Sequence, residues 1–190
     1  AIGIGLYLGL TAVLLWLGLG QTGRAFIYAQ DDPYIHLSLA RTLADHGVWG
    51  LRSDQFASAS SSPLWTLLLA AVWAAGAHAV WWPFVLNLVC GVGVLAVADA
   101  MTRDFMDRRS RVILLAALVA ITPLPTLALI GMEHTLQVLL SIALAWQSAR
   151  WLEGEKTVPT LTVCALAAAL TATRYEGLFL VAAVASLLMM

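Results

Sequence analysis

Apolar runs long enough to cross a bilayer recur along this chain, and they constrain its fold more than any other feature. A spanning helix needs ~17–25 predominantly apolar residues. Segments 2–20, 84–101, 112–130, 134–149, 158–173 and 177–190 meet or approach that length, with charge largely confined to the breaks between them. Lipid offers no partner for open backbone groups, so such runs predict an all-α integral membrane bundle. Hydrophobic residues make up 61% of the chain and charged residues 11%, and the mean hydropathy is +0.87. The net charge of −1, with its charges clustered in loops, gives no argument for a nucleic-acid partner.

Segment 2–20 has no basic flank before it and no small-residue cleavage site after it, so it reads as a true span rather than a signal peptide. The chain starts at Ala1 and ends inside an apolar run at Met189-Met190, and so reads as part of a longer protein. Loop 102–111 holds Arg103, Arg108, Arg109 and Arg111, and loop 150–157 holds Arg150 and Lys156. Basic loops favour the cytoplasmic side. With residue 1 inside, loop 21–62 lies outside, and an odd number of crossings must lead from it to loop 102–111. The stretch between allows one, assigned to 84–101. Segment 63–82 then becomes a juxtamembrane or half-inserted helix, for which Trp73, Trp81 and Trp82 are suited. The competing arrangement lets both segments cross.

The loop 21–62 carries Asp31-Asp32-Pro33-Tyr34. Adjacent carboxylates beside a bilayer are costly unless a cation, a ligand or a proton transfer uses them. A surface helix is expected over 33–46, with Asp32 as its N-cap, Pro33 at its first position and Gly47 at its end. Ile35, Leu39 and Leu43 would form its apolar stripe, with His36, Arg41, Thr42 and Asp45 facing elsewhere. Asp31, left free by the cap, could act as a base, and the Asp31–Asp32 pair could attract Mg²⁺, Mn²⁺ or Ca²⁺. Another helix start follows at Ser62-Pro63, whose uncharged N–H groups suit an anion.

Two further polar breaks land on the same predicted face: Gly131-Met132-Glu133-His134 and Thr173-Arg174-Tyr175-Glu176-Gly177. Charges that interrupt apolar runs usually mark function. Arg41 and Arg174 are the preferred partners for a phosphate, and His36 could assist as a ligand or donor. Asp99 should pair with the arginine loop, while Pro123 and Pro125 should kink or break segment 112–130. Cys90 and Cys164 lie in apolar runs and read as core-facing thiols, not a disulfide. No phosphate-cradling glycine loop, dinucleotide fingerprint, zinc-protease helix or hydrolase elbow is present.

Taken together, these motifs resemble those of the GT-C glycosyltransferases. The resemblance rests on an N-terminal span, then the outer-loop run from Asp31 to Arg41, then Ser61-Ser62-Pro63-Leu64-Trp65. Gly131-Met132-Glu133 and Thr173–Gly177 are similar to motifs of the terminal β-arabinofuranosyltransferase group. The resemblance implies a multi-helix GT-C-type transmembrane bundle in the cell membrane, with residues 1–190 as part of its module. It also implies a polyprenyl-phosphate-linked sugar donor, inversion at the anomeric carbon and a site on the extracytoplasmic face. Asp31 or Asp32 would be the general base, with a divalent ion in some branches. Arg41, His36, Ser62, Glu133, His134, Arg174, Tyr175 and Glu176 would bind substrate or its phosphate, the acceptor being a hydroxyl of a cell-envelope glycan, lipid or protein. Tyr175 stands where proline is commoner, and His134 where a small residue is commoner. Two other classes compete: a polytopic transporter, in which Glu133, Arg174 and Glu176 line an ion path, and a non-catalytic subunit that binds a lipid carrier. Charges at segment boundaries and the lack of an internal repeat favour the enzyme.

Overall fold

A computed structural model describes residues 2–154 and 159–189. Lys156 and the outermost residues of predicted segments 158–173 and 177–190 (158 and 190) lie outside the described residues. The described residues form α1 (Ile2–Gln21), α2 (Asp32–His46), α3 (Pro63–Ala74), α4 (Trp82–Thr102), α5 (Arg108–Ile121), α6 (Leu124–Ile130), α7 (His134–Leu152), α8 (Thr160–Thr173) and α9 (Gly177–Leu188), with no strand among them.

Proline and glycine punctuate these helices as their chemistry dictates. Pro33, Pro63, Pro83 and Pro125 each sit in a first turn, where the missing N–H has no intrahelical partner to lose. Gly47 ends α2 in the left-handed region with φ 69°, its N–H donating to the Leu43 carbonyl. The expected break in segment 112–130 falls at Thr122-Pro123, where α5 and α6 meet at 48°.

By length and composition, α1 and α4 could cross a membrane, as could α5 and α6 if the bent pair counts as one span. At 1.5 Å per residue α1 and α4 cover ~30 Å, the thickness of a hydrocarbon layer. Six spans were expected, and helices form in all six segments. However, α8 and α9 have only 14 and 12 described residues, with extended backbone at Arg174 between them. α3, with 12 residues, covers ~18 Å.

α4 and α7 form the middle of the bundle. Tyr7, Leu95, Leu115 and Val119 join α1, α4 and α5 in one apolar cluster. Ala40, Trp65, Leu69 and Leu136 join α2, α3 and α7 in a second, and Leu144, Val163, Leu170 and Val184 join α7, α8 and α9 in a third. Both cysteines are free. Cys90 is half-buried, but Cys164 is exposed on α8 rather than in the core as expected.

Two polar clusters sit near opposite ends of α4. Near its end, Asp99 pairs with Arg103 at 3.7 Å and Arg111 at 3.3 Å, as anticipated for the arginine loop. Near its start, the buried Asn87 donates its amide to the Met132 carbonyl at 2.8 Å and accepts from the Thr135 hydroxyl. The first turn of α7 is thereby fixed against α4.

Because an orphaned buried polar group costs more than a hydrogen bond returns, Asn87→Leu should destabilise the fold by ~1–3 kcal/mol. Adding Thr135→Val should recover part of that loss by removing one orphan. Unfolding midpoints in detergent check both changes.

Candidate functional site

The first turn of α2 differs in register from expectation. Asp31, not Asp32, is the N-cap residue; it is helical, at φ −79° and ψ −29°, and its side chain makes no capping bond. Asp32 already lies inside the helix. Both carboxylates are exposed, so neither is consumed by the helix start. The buried face also differs, comprising Pro33, His36, Leu39, Ala40 and Thr42. His36 and Thr42 thus face the bundle, because α3 covers that side of α2.

His36 is only 2% exposed. Its Nδ1 lies 3.2 Å from Thr66 Oγ1 and 3.3 Å from Ser60 Oγ. The two hydroxyls are themselves 2.9 Å apart. Its other nitrogen, Nε2, faces Glu133 Oε2 at 3.9 Å. Burial holds the imidazole pKa below its usual 6.5, against the opposing pull of Glu133 and Asp32. Asp32, one turn before His36, is therefore within electrostatic reach of the buried network.

Glu133 is fully buried at the turn between α6 and α7. Its Oε1 accepts from Arg174 Nη1 at 2.7 Å, whereas Oε2 has no hydrogen-bond partner among the described residues. Arg174 reaches in from the turn between α8 and α9. Its Nε and Nη2 both donate to Glu176, at 3.2 and 2.9 Å. Arg174 holds the Glu176 carboxyl below the usual range, chiefly by these bonds. The same bonds raise the Arg174 pKa. His134, half-buried at the start of α7, adds a smaller pull on Glu176.

His36, Glu133, Arg174 and Glu176 are therefore in one chain of contacts, and Asp32 and His134 act on it through space. Three other expected members stand apart. Arg41 pairs with Asp45 at 3.6 Å and lies over the Trp73 ring, with its guanidinium carbon 5.7 Å from the centroid. Ser62 is fully buried, its backbone N–H spent on Ser60 Oγ and its own Oγ without a hydrogen-bond partner among the described residues. Ser60 thus takes one of the N–H groups of the expected anion site at the start of α3. Tyr175 is 67% exposed. Asp31 and Asp32 offer two oxygen donors to a cation, but no third His, Cys, Asp or Glu joins them among the described residues.

Tyr28, which no sequence motif marks, joins Tyr34 in holding this site to α4. Tyr28, only 4% exposed, donates its hydroxyl to the Val80 carbonyl at 3.0 Å and accepts from the Phe84 N–H at 3.1 Å. Its own N–H donates to the Tyr34 hydroxyl at 2.9 Å. The Tyr28 ring lies so close to Gly131 that a Cβ there would stand 2.4 Å from a ring carbon, and Gly131 has φ +78°. Only glycine fits both demands. Asn87, Ser60 and Thr66 are not among the site residues that the sequence predicts. The one signal for Asn87 was an amide inside an otherwise apolar run.

No family model, curated protein or solved structure matches this chain.

With its pKa below 6.5, His36 takes up its proton more readily in the unfolded chain than in the folded one. Stability should thus hold above that value and fall as pH drops below it, by at most ~1.4 kcal/mol per pH unit. His36→Asn, which keeps a δ-position partner for Thr66, should flatten the dependence. Thermal midpoints of both forms across a pH series provide the check.

Proposed function

We propose that this chain belongs to a membrane enzyme that transfers a sugar, with inversion, from a polyprenyl-phosphate donor to a hydroxyl of a cell-envelope glycan, lipid or protein. The reading puts the site on the outer face of a multi-pass, GT-C-type bundle in the cell membrane. One observation carries it: the motif residues His36, Glu133, Arg174 and Glu176, separated by up to 140 positions, form one contact chain. Its location near the start of α4, away from Asp99 and its arginines, further supports this reading.

The chemistry is a single displacement. The acceptor oxygen attacks the anomeric carbon as the bond from that carbon to the phosphate oxygen breaks, and the phosphate departs with the electron pair. Asp32 is the preferred base for the acceptor proton, because it is free of capping duty and within reach of the His36–Glu133 network. Asp31 is the alternative. General base catalysis of this kind contributes roughly 10²–10⁴-fold. Arg174 suits the charge that develops on the phosphate, because a guanidinium presents paired N–H groups to two oxygens. Arg41, tied to Asp45 and Trp73, serves this role less well. A divalent ion, where bound, would draw on Asp31 and Asp32 and neutralise phosphate charge.

The fully buried Glu133, with His36 at 3.9 Å, also favours a second reading in which these groups carry protons through a transporter. Asp31→Asn and Asp32→Asn, made separately in the full-length protein, discriminate. For the enzyme, one of them should reduce transfer from radiolabelled polyprenyl-phosphate sugars by ~10²-fold or more while donor binding persists. Full turnover in both variants would sink the sugar-transfer reading. A pH-gradient-driven flux in proteoliposomes that depends on Glu133 would establish the transporter instead.

A further inference from the structure

We propose that the Glu176 carboxylate is an internal stand-in for the donor phosphate, occupying on Arg174 the position that the phosphate takes when the donor binds. This inference rests on the sugar-transfer reading above.

The two carboxylates on Arg174 are not equivalent. Glu133 is fully buried and takes a single bond, from Nη1 at 2.7 Å. Glu176 has a side chain 59% exposed and takes the Nε–Nη2 edge with both of its oxygens, at 3.2 and 2.9 Å. That edge is a fork of two parallel N–H groups, which fits a carboxylate and a phosphate alike. Glu133 cannot leave without stranding a charge in the apolar interior. Glu176 can leave into water at little cost, because exposed ion pairs contribute only ~0.2–1 kcal/mol. The buried carboxylate is thus a fixed anchor for the guanidinium, and the exposed one can be exchanged.

Local backbone and charge agree with exchange. Arg174 is extended, at φ −155° and ψ 144°, and Glu176 precedes α9 with no side-chain capping bond of its own. Among the described side chains only Arg174 hydrogen-bonds the Glu176 carboxylate, and the one further bond is to the backbone of Glu176 itself, which can move with it. Glu133, Arg174 and Glu176 together carry −1 charge, which repels a phosphate until Glu176 withdraws.

Binding of a polyprenyl monophosphate to the full-length protein in lipid nanodiscs tests the inference. Glu176→Gln removes the competing charge at an exposed position and should tighten binding about two- to fivefold, the equivalent of one exposed ion pair. Arg174→Gln should abolish binding. Arg174→Lys keeps a cation for Glu133, and so guards against misfolding, but lacks the paired edge. In that background Glu176→Gln should give a smaller gain. If Arg174→Gln loses binding while Glu176→Gln binds no tighter than the parent, the stand-in role is wrong and the sugar-transfer reading survives. If the parent does not bind, or Arg174→Gln binds as well as the parent, both fall.

Discussion

A carboxylate buried in an apolar bundle is the interaction on which this architecture turns. Taking an ion out of water costs several kcal/mol even after relaxation, so Glu133 must recruit partners from other segments. It finds a guanidinium from the turn after α8 and an imidazole from α2. Those contacts tie together three parts of the chain that apolar packing alone would leave free to slide. The short link between α6 and α7, the extended residue between α8 and α9, and the buried face of α2 all meet at that one charge. Its second oxygen has no hydrogen-bond partner among the described residues and faces the His36 imidazole at 3.9 Å.

α4 organises the rest. Asn87 and Asp99 lie on it 12 residues apart, which amounts to ~18 Å of helix. The amide gathers the acid-bearing turn of α7, and the aspartate gathers the arginines that follow α4. One helix thereby keeps two groups of opposite chemical character apart while its apolar middle packs against α1 and α7.

Helices, their prolines and glycines, and the break at Pro123 were legible in the sequence because each rests on local backbone chemistry. The partnership of α2 with Glu133 and Arg174 was legible in outline, since polar breaks between apolar runs have few places to go. What escaped was set by tertiary neighbours. His36 reads as outward on a periodicity plot of α2 alone, yet α3 covers it, and the hydroxyls of Ser60 and Thr66 make its burial tolerable. Ser62 reads as a helix start with free N–H groups, and Ser60 two residues earlier takes one of them. The Asp31–Asp32 register moved by one residue, which is invisible to pattern and decisive for which carboxylate is left nearest the network. Arg41 offered a cation in the right loop, and only the position of Trp73 reveals that it is engaged elsewhere.

Tyr28 gives the molecule a stiff lever. Through the Tyr34 hydroxyl it is tied to the first turn of α2, through its own hydroxyl it straddles the entrance to α4, and its ring bears directly on Gly131. Gly131 stands two residues before Glu133. The tip of α2 and the turn that carries the anchor of Arg174 thus share one buried aromatic side chain, which lies in the connection between α1 and α2.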